Sequence, residues 1–233
     1  MEMRLRTSRP RQPAGQPDRK EHHERACLNT RESCVNFTGA KVKKSRALGV
    51  ALTPKAQKYM KNRPFPPGQH GQRRRRRPSD YGVQLLEKQR MRFQYNISES
   101  QLRKAYSQAT RMPGSTGDNL VQILETRMDA MVLRAGLAPT IYAARQYVTH
   151  GHFMLNGKKA TIPSQRLKIG DVISVREKSR KSVIFGDLKA SGPVAPYMAV
   201  DEANLSARLE YLPPREEVPI ICAEHLVVEF YSR

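Results

Sequence analysis

Tryptophan is absent from the 233 residues, and aromatic residues make up only 6% of them. With a hydrophobic share of 38%, the chain has material for one or two domains of modest core and not for a single large one. Cysteine is scarce too. Cys27, Cys34 and Cys222 are widely spaced, which excludes a disulfide framework and fits a reducing compartment. Adjacent His22 and His23 precede the first two cysteines, but structural zinc sites usually pair their ligands roughly two to four residues apart. Cys27 and Cys34 are further apart than that, and neighbouring imidazoles rarely reach one ion. Unligated thiols are the favoured reading, and no metal or other cofactor is expected. No apolar run approaches the ~20 residues of a membrane-spanning helix, and the start of the chain lacks an apolar signal core. Glu21 and Glu24 in the Arg-rich start argue against an organelle transit peptide. No membrane partner is expected.

The most informative scarcity is of acid. From Lys41 to Arg77 there are thirteen Lys and Arg and no Asp or Glu, so this segment alone carries +13 of a net +21. Such a balance implies a polyanionic partner, above all nucleic acid. A merely solvated charge run is the bland alternative, and the missing acids weaken it. Thr53 ahead of Pro54 predicts a short helix through Met60, with proline in the first turn where its lost N–H costs nothing. Pro64, Pro66 and Pro67 stiffen the link that follows and hold it extended. Gly68-Gln69-His70-Gly71 lets the backbone come close to something, and Arg73, Arg74, Arg75, Arg76 and Arg77 come next. A guanidinium fork holds two phosphate oxygens, which suits it to packed phosphates better than an ammonium. A nuclear-localisation peptide is the rival reading of this run, disfavoured by the Pro-Pro-Gly turn before it.

In order, residues 1–40 are Arg-, Gln- and Pro-rich without apolar period, and read as a basic, extended arm that is disordered when alone. Residues 41–117 read as a mainly helical RNA-binding domain. Ser79 caps a helix with Val83, Leu86, Arg90 and Phe93 on one side. Ser98-Glu99-Ser100-Gln101 is a capping box for the next, whose apolar face is Leu102, Ala105, Tyr106 and Ala109. Tyr81, Phe93, Tyr95 and Tyr106 are favoured as core residues over base-stacking ones.

Residues 118–185 form the organising module. Leu120, Leu124, Met128, Met131 and Ala135 recur at helical steps, with Asp118 expected as the cap and Gly136 after the last turn. A second helix opens at Thr140 and closes at Gly151, with Ala144, Tyr147 and Val148 apolar. Arg127, Arg134 and Arg145 lie off these stripes and are expected to face water or a charged partner. A hairpin follows around Asn156-Gly157, the strongest two-residue hairpin turn. Phe153 and Leu155 are expected toward the helices, and His152, Lys158 and Lys159 on the open side or tip. Ile169 to Val175 reads as a turn into a third strand. Residues 186–233 change character. Asp187 to Arg233 has eight acidic and four basic residues, so this end is expected to pack back on the fold or meet a basic neighbour. Ser206 to Leu212 is ambiguous, and Leu226 to Arg233 reads as a strand.

Three signatures carry a family resemblance. One is Arg63-Pro64-Phe65-Pro66-Pro67-Gly68-Gln69-His70-Gly71-Gln72, the arginine run and Ser79-Asp80-Tyr81-Gly82. A second is the module, through Arg127, Met128, Asp129, Arg134, Gly136, Ala143, Arg145, Gln146, His150, Gly151, His152, Asn156, Gly157, Pro163, Ser164, Arg166, Gly170, Asp171 and Val172. The third is the closing Val228-Glu229-Phe230-Tyr231-Ser232-Arg233. Together they resemble the ribosomal protein S-four family, from about Gly39 to the end. Some members of that family carry a four-cysteine zinc cluster near the N-terminus, a set this sequence lacks. The resemblance implies an α+β fold, a helical N-terminal domain followed by a helix-pair and antiparallel-hairpin RNA-binding module. It implies a structural, non-enzymatic protein of the small ribosomal subunit that binds a multi-helix junction of 16S rRNA early and nucleates assembly. Contact with neighbouring small-subunit proteins, especially protein five, and with mRNA near the entry channel is also implied, with influence on accuracy. The location implied is the cytoplasm, bound to the small subunit; a plastid ribosome fits the same argument.

The RNA-binding candidates are Lys43, Lys44, Arg46, Arg63, His70, Gln72, Arg73 to Arg77 and Lys88 in the helical part. In the module they are Arg127, Arg134, Arg145, His150, His152, Lys158, Lys159 and Arg166. No Gly-rich phosphate loop ending in Lys-Ser or Lys-Thr occurs, and Asp80, Asp118 and Asp171 read as cap and turn residues. His150 and His152 are better placed to touch RNA than to catalyse. An RNA-modifying enzyme using the same module, and a free RNA chaperone, are the competing functions. The first would need a catalytic domain for which the C-terminal residues are too few.

Overall fold

Capping side chains set where most of the helices begin. The structure is a computed structural model describing residues 37–73, 77–182, 185 and 194–233. The readings for residues 1–36, with His22, His23, Cys27 and Cys34, and for Arg74 to Arg76 lie outside the described residues. Helix α1 (Lys41–Leu48) ends on Gly49, whose φ of 70° is the left-handed geometry that closes a helix. Thr53 accepts from Ala56 N at 3.2 Å and opens α2 (Pro54–Asn62). Ser79 opens α3 (Asp80–Gln94), and Ser98 with Gln101 completes the expected capping box ahead of α4 (Glu99–Ala109). Each such cap satisfies backbone N–H groups that have no partner within the helix.

The apolar stripe from Leu120 to Ala135 does not lie on one helix. It is divided between α5 (Thr116–Glu125) and α6 (Met128–Arg134). Ser115, not Asp118, is the cap; Asp118 occupies the first turn, where a carboxylate favours the helix dipole. The break has a cause later in the chain. Met128 N donates to Gln165 O at 2.8 Å, Asp129 N to Pro163 O at 3.2 Å, and Leu167 N to Thr126 O at 2.9 Å. These bonds engage backbone groups that an unbroken helix would have paired internally. The stripe still reaches the interior, since all five of its residues are buried.

Thr140 caps α7 (Ile141–Thr149) as expected. The chain then enters a sheet of β1 (Phe153–Leu155), β2 (Lys158–Ala160), β3 (Val172–Val175), β4 (Met198–Asp201) and β5 (Ser206–Leu209). All pairings are antiparallel, in the order β2-β1-β3-β5-β4. Asn156 and Gly157 turn the hairpin at φ 48° and 78°, the pair of positive angles that a two-residue turn needs. The Asn156 side chain does more: it donates to Asp171 and accepts from Val172 N, both at 2.9 Å, tying the hairpin tip to β3. A short helix α8 (Glu177–Arg180) follows β3, and a 3-10 turn spans Arg215–Glu217.

The last residues correct the strand reading. Leu226 to Ser232 belongs to α9 (Glu224–Ser232), and Arg233 follows it. Its β-branched and aromatic content favours a strand, but helical spacing brings Val227, Phe230 and Tyr231 together, and tertiary packing overrides propensity. Val227 is fully buried. The Phe230 ring lies 5.6 Å from Tyr81 and the Tyr231 ring 5.0 Å from Tyr106, and Tyr231 donates to Glu99 at 2.7 Å. The C-terminal end thus packs back on α3 and α4.

Two principal hydrophobic clusters result. One unites α3, α4, α5 and α9 through Met91, Leu102, Leu120 and Val227. The other unites α6, α7 and the sheet through Met131, Val148, Phe153 and Ile173. Glu125, at the end of α5 and wholly buried, joins them. It accepts from Tyr95 of the first cluster at 2.6 Å and from Tyr197 of the second at 2.7 Å, and it pairs with Arg134. Burial alone would lower the Arg134 pKa, but the neighbouring carboxylate outweighs it and holds the guanidinium charged.

Removing one member of a buried ion pair strands the other. Glu125→Ala is therefore expected to cost about 3–5 kcal/mol in urea unfolding, whereas Glu229→Ala, at an exposed pair, costs under about 1 kcal/mol. Burial and then the Glu125 charge push the Tyr95 and Tyr197 hydroxyls above their ordinary 10.0. The unfolded phenols ionise first, so this contribution is intact below pH 10 and is lost as pH rises beyond it. The urea midpoint is expected to fall between pH 9.5 and 11, and to fall less in Tyr95→Phe/Tyr197→Phe.

Candidate nucleic-acid interface

The candidate cations separate into those held by the protein's own acceptors and those left in solvent. In the acid-free segment the separation is sharp. Among the described residues, no Lys or Arg from 41 to 77 forms an ion pair. Lys43, Arg63, His70, Gln72, Arg73 and Arg77 are exposed. Lys44 is half-buried, its ammonium 4.5 Å from the Phe93 ring centre.

Arg46 has a different task. Its Nε donates to Phe65 O at 3.0 Å and its Nη2 to Pro66 O at 3.3 Å, with the guanidinium over the Phe65 ring. It pins the prolyl link to α1. The close approach expected of the glycines is made within this same link: a Cβ on Gly71 would stand 2.1 Å from Pro66 O. Glycine here folds the link on itself, and the exposed His70, Gln72 and Arg73 project from it.

Arg90, which interrupts the apolar side of α3, is likewise a brace. It donates to Leu48 O at 2.8 Å, satisfying a carbonyl at the end of α1, and it pairs with Glu87. Lys88 is placed among protein groups. It is buried at 6% exposure, pairs with Glu99 at 3.1 Å and lies over the Phe230 ring. The arrival of α9 covers it.

Arg127, Arg134 and Arg145 do face charged partners, but these are carboxylates of the same chain. Arg127 grips Asp129 through two bonds of 3.0 and 2.8 Å. Arg145 approaches the same carboxylate at 3.6 Å and donates to Asn96 O at 3.0 Å. Arg134 is taken by Glu125. The side chains of Arg127, Arg134 and Arg145 are only 8%, 16% and 17% exposed, so they present little surface to a phosphate. Arg134, through Glu125 of α5, and Arg145, through Asn96 O, join the helical part to the module, whereas Arg127 and Asp129 pair at the start of α6. Sequence reading places them off the apolar stripes but does not show which acids they find.

In the module the exposed candidate cations lie on the sheet edge and in the loop that follows it. β2 is an edge strand, and Lys158 and Lys159 on it are exposed, as are Arg166 and Lys168. Exposed cations on an edge also discourage pairing with another sheet. The left-handed Gly151 lies under the Lys159 stem, where an added Cβ would meet Cε at 2.4 Å. His150 is exposed. His152 is half-buried, shares a 3.0 Å hydrogen bond with Ser179, and lies against Tyr147 and Phe185. Burial, and then the charge of His150, lowers its pKa. It is neutral near pH 7 and adds no positive charge.

Two further groups of free cations escape sequence reading. Lys55, Lys58 and Lys61 are exposed along α2, and Arg103, Lys104 and Arg111 along or just beyond α4. The three-residue spacing of the first group is legible in the sequence. The value of the second emerges only once the 163–166 loop is seen beside α4, where Lys104 and Arg166 line one cleft.

Comparison with known proteins follows this division of the chain. Residues 36–125 match the model of the "Ribosomal protein S4/S9 N-terminal domain", and residues 126–173 match the "S4 domain". The two matches meet where α5 gives way to α6. The chain is 53% identical over 204 residues to the Small ribosomal subunit protein uS4 of Streptomyces avermitilis, covering 85% of this chain and 100% of that one. It is 53% identical over 199 residues to the protein of the same name from Micrococcus luteus, covering 82% and 95%. The Thermobifida fusca protein of that name is 47% identical over 203 residues, covering 85% and 100%.

The two classes of cation should behave differently in RNA binding. Lys158→Ala/Lys159→Ala/Arg166→Ala is expected to reduce the salt slope of binding by about 2–3, near 0.7–0.9 per lost phosphate contact, without changing the melting temperature. Lys88→Ala is expected to do the reverse, lowering the melting temperature with the slope intact. Filter binding across 50–300 mM salt, with thermal melts, separates the two.

Proposed function

The chain belongs to the family of small ribosomal subunit proteins named uS4, and from that premise we propose that it clamps a folded multi-helix junction of 16S rRNA between two basic lobes. It is a structural, rRNA-binding component of the small ribosomal subunit, without enzymatic activity. One lobe is α1, α2 and the pinned prolyl link, presenting Lys43, Lys55, Lys58, Lys61, Arg63, Arg73 and Arg77. The other is the hairpin and its loop, presenting Lys158, Lys159, Arg166 and Lys168. The observation that supports this reading most is the contrast in pairing. Cations on these surfaces are solvent-exposed and form no ion pair among the described residues, whereas Arg127, Arg134 and Arg145 are paired with carboxylates of the chain itself.

Phosphate spacing and the shape of the junction, more than base edges, select the site. Early binding lets the protein nucleate assembly, because a rigid pair of lobes fixes the angle between the RNA helices it grips. The acidic C-terminal stretch, with exposed Glu210, Glu216 and Leu212, is a poor RNA surface and suits a basic neighbouring small-subunit protein such as protein five. A position beside the mRNA entry channel, with influence on accuracy, completes the proposal.

If about eight phosphates are neutralised, log affinity falls with log salt at a slope near −6 to −7. The chain is expected to co-sediment with the small subunit at moderate salt and to stay there in a high-salt wash. Recovery chiefly away from ribosomes would favour the free chaperone instead.

A further inference from the structure

Resting on that reading, we infer that the cleft between α4 and the 163–166 loop takes a single rRNA nucleotide whose base has left its helical stack. The cleft is about 210 Å³, below the ~300 Å³ at which pockets begin to hold drug-sized ligands. It suits one base with its phosphate. Its lining is graded. Ala105 and Ile123, both nearly buried, form an apolar floor. Gln108 and Ser164 place an amide and a hydroxyl on the walls, and Lys104 and Arg166 place positive charge at the rim. Unstacked bases are recognised by this combination: an apolar surface for the ring, hydrogen-bonding groups for its edge, and cations for the adjoining phosphate.

The cleft is also built rigidly. Its loop is fastened to the α5–α6 junction by the backbone bonds from Met128, Asp129 and Leu167 and by a β-bridge between Arg127 and Arg166. The interruption of the apolar stripe at Thr126 is thus what holds the cleft open beside α4. Arg166 donates across it to Gln108 Oε1, which aims the guanidinium while leaving other N–H groups for phosphate oxygens. Lys104, on the facing helix, has no ion-pair partner among the described residues. A nucleotide entering here would have cations on both sides of its phosphate.

Gln108→Glu tests this with little risk to folding, because Gln108 is exposed on α4. The new carboxylate occupies Arg166 and repels phosphate. Lys104→Ala is the second variant. The full-length chain is bound to small-subunit rRNA, with affinity measured across salt and base edges probed with dimethyl sulfate and a carbodiimide. Each variant is expected to bind about tenfold more weakly at moderate salt, with the slope reduced by about one. One base protected in the wild-type complex should become reactive. Wild-type affinity, slope and protections in both variants would overturn the nucleotide site. A reduced slope with every base protection retained would overturn it too, leaving only a phosphate contact. Lys158→Ala/Lys159→Ala separates these results from failure of the clamp itself: if neither it nor the cleft variants alter binding, the two-lobe reading fails as well.

Discussion

A buried carboxylate bridges the two hydrophobic clusters of this protein. Glu125 lies at the end of α5, where the helical cluster stops and the module begins, and receives a phenol from each side along with the guanidinium of Arg134. In a low-dielectric setting such an acid is tolerable only when its lone pairs are filled. Asp129, four residues later, is also buried and is paired with two guanidiniums, Arg127 and Arg145. Strongly basic chains face self-repulsion. Here part of the positive charge is neutralised by buried carboxylates, and the cations from Lys41 to Arg77 and on the hairpin and its loop form no ion pair among the described residues.

That partition links stability to function. The internal pairs orient the lobes, and rigid lobes present phosphate-binding groups at set distances. Arg46 extends the same logic into the prolyl link, where it bonds two carbonyls. Without that pin, prolines would stiffen the link but not fix its direction. An arginine can therefore contribute to RNA recognition without touching RNA, by fixing the backbone from which other cations project.

Local chemistry was the legible part of the sequence. Thr53, Ser79, Ser98, Thr140 and the Asn156-Gly157 turn act where their side-chain chemistry indicates. Their partners are only a few residues away, so one stretch of chain contains the information. The α+β fold followed from these signals and from the family resemblance. What escaped depends on distant residues. The break at Thr126 is imposed from Pro163 to Leu167, and the helical state of Leu226 to Ser232 depends on docking against α3 and α4. Strands β4 and β5 are four residues each and complete the sheet through pairings unavailable locally. The same limit applies to the interface. Charge count located the basic residues, but the burial of Lys88 and Arg127 and the pairing of Lys88, Arg127, Arg134 and Arg145 with carboxylates of the chain depend on distant packing.

The most direct measurement is a high-resolution structure of the small ribosomal subunit containing this chain. Lys55, Lys58, Lys61, Arg63, Arg73, Lys158, Lys159 and Arg166 are expected within hydrogen-bonding or ion-pair distance of rRNA phosphates. Arg127, Arg134 and Arg145 should remain on Asp129 and Glu125. Basic lobes turned toward solvent or protein, with those three arginines drawn onto the RNA instead, would show that the division of charge described here is mistaken.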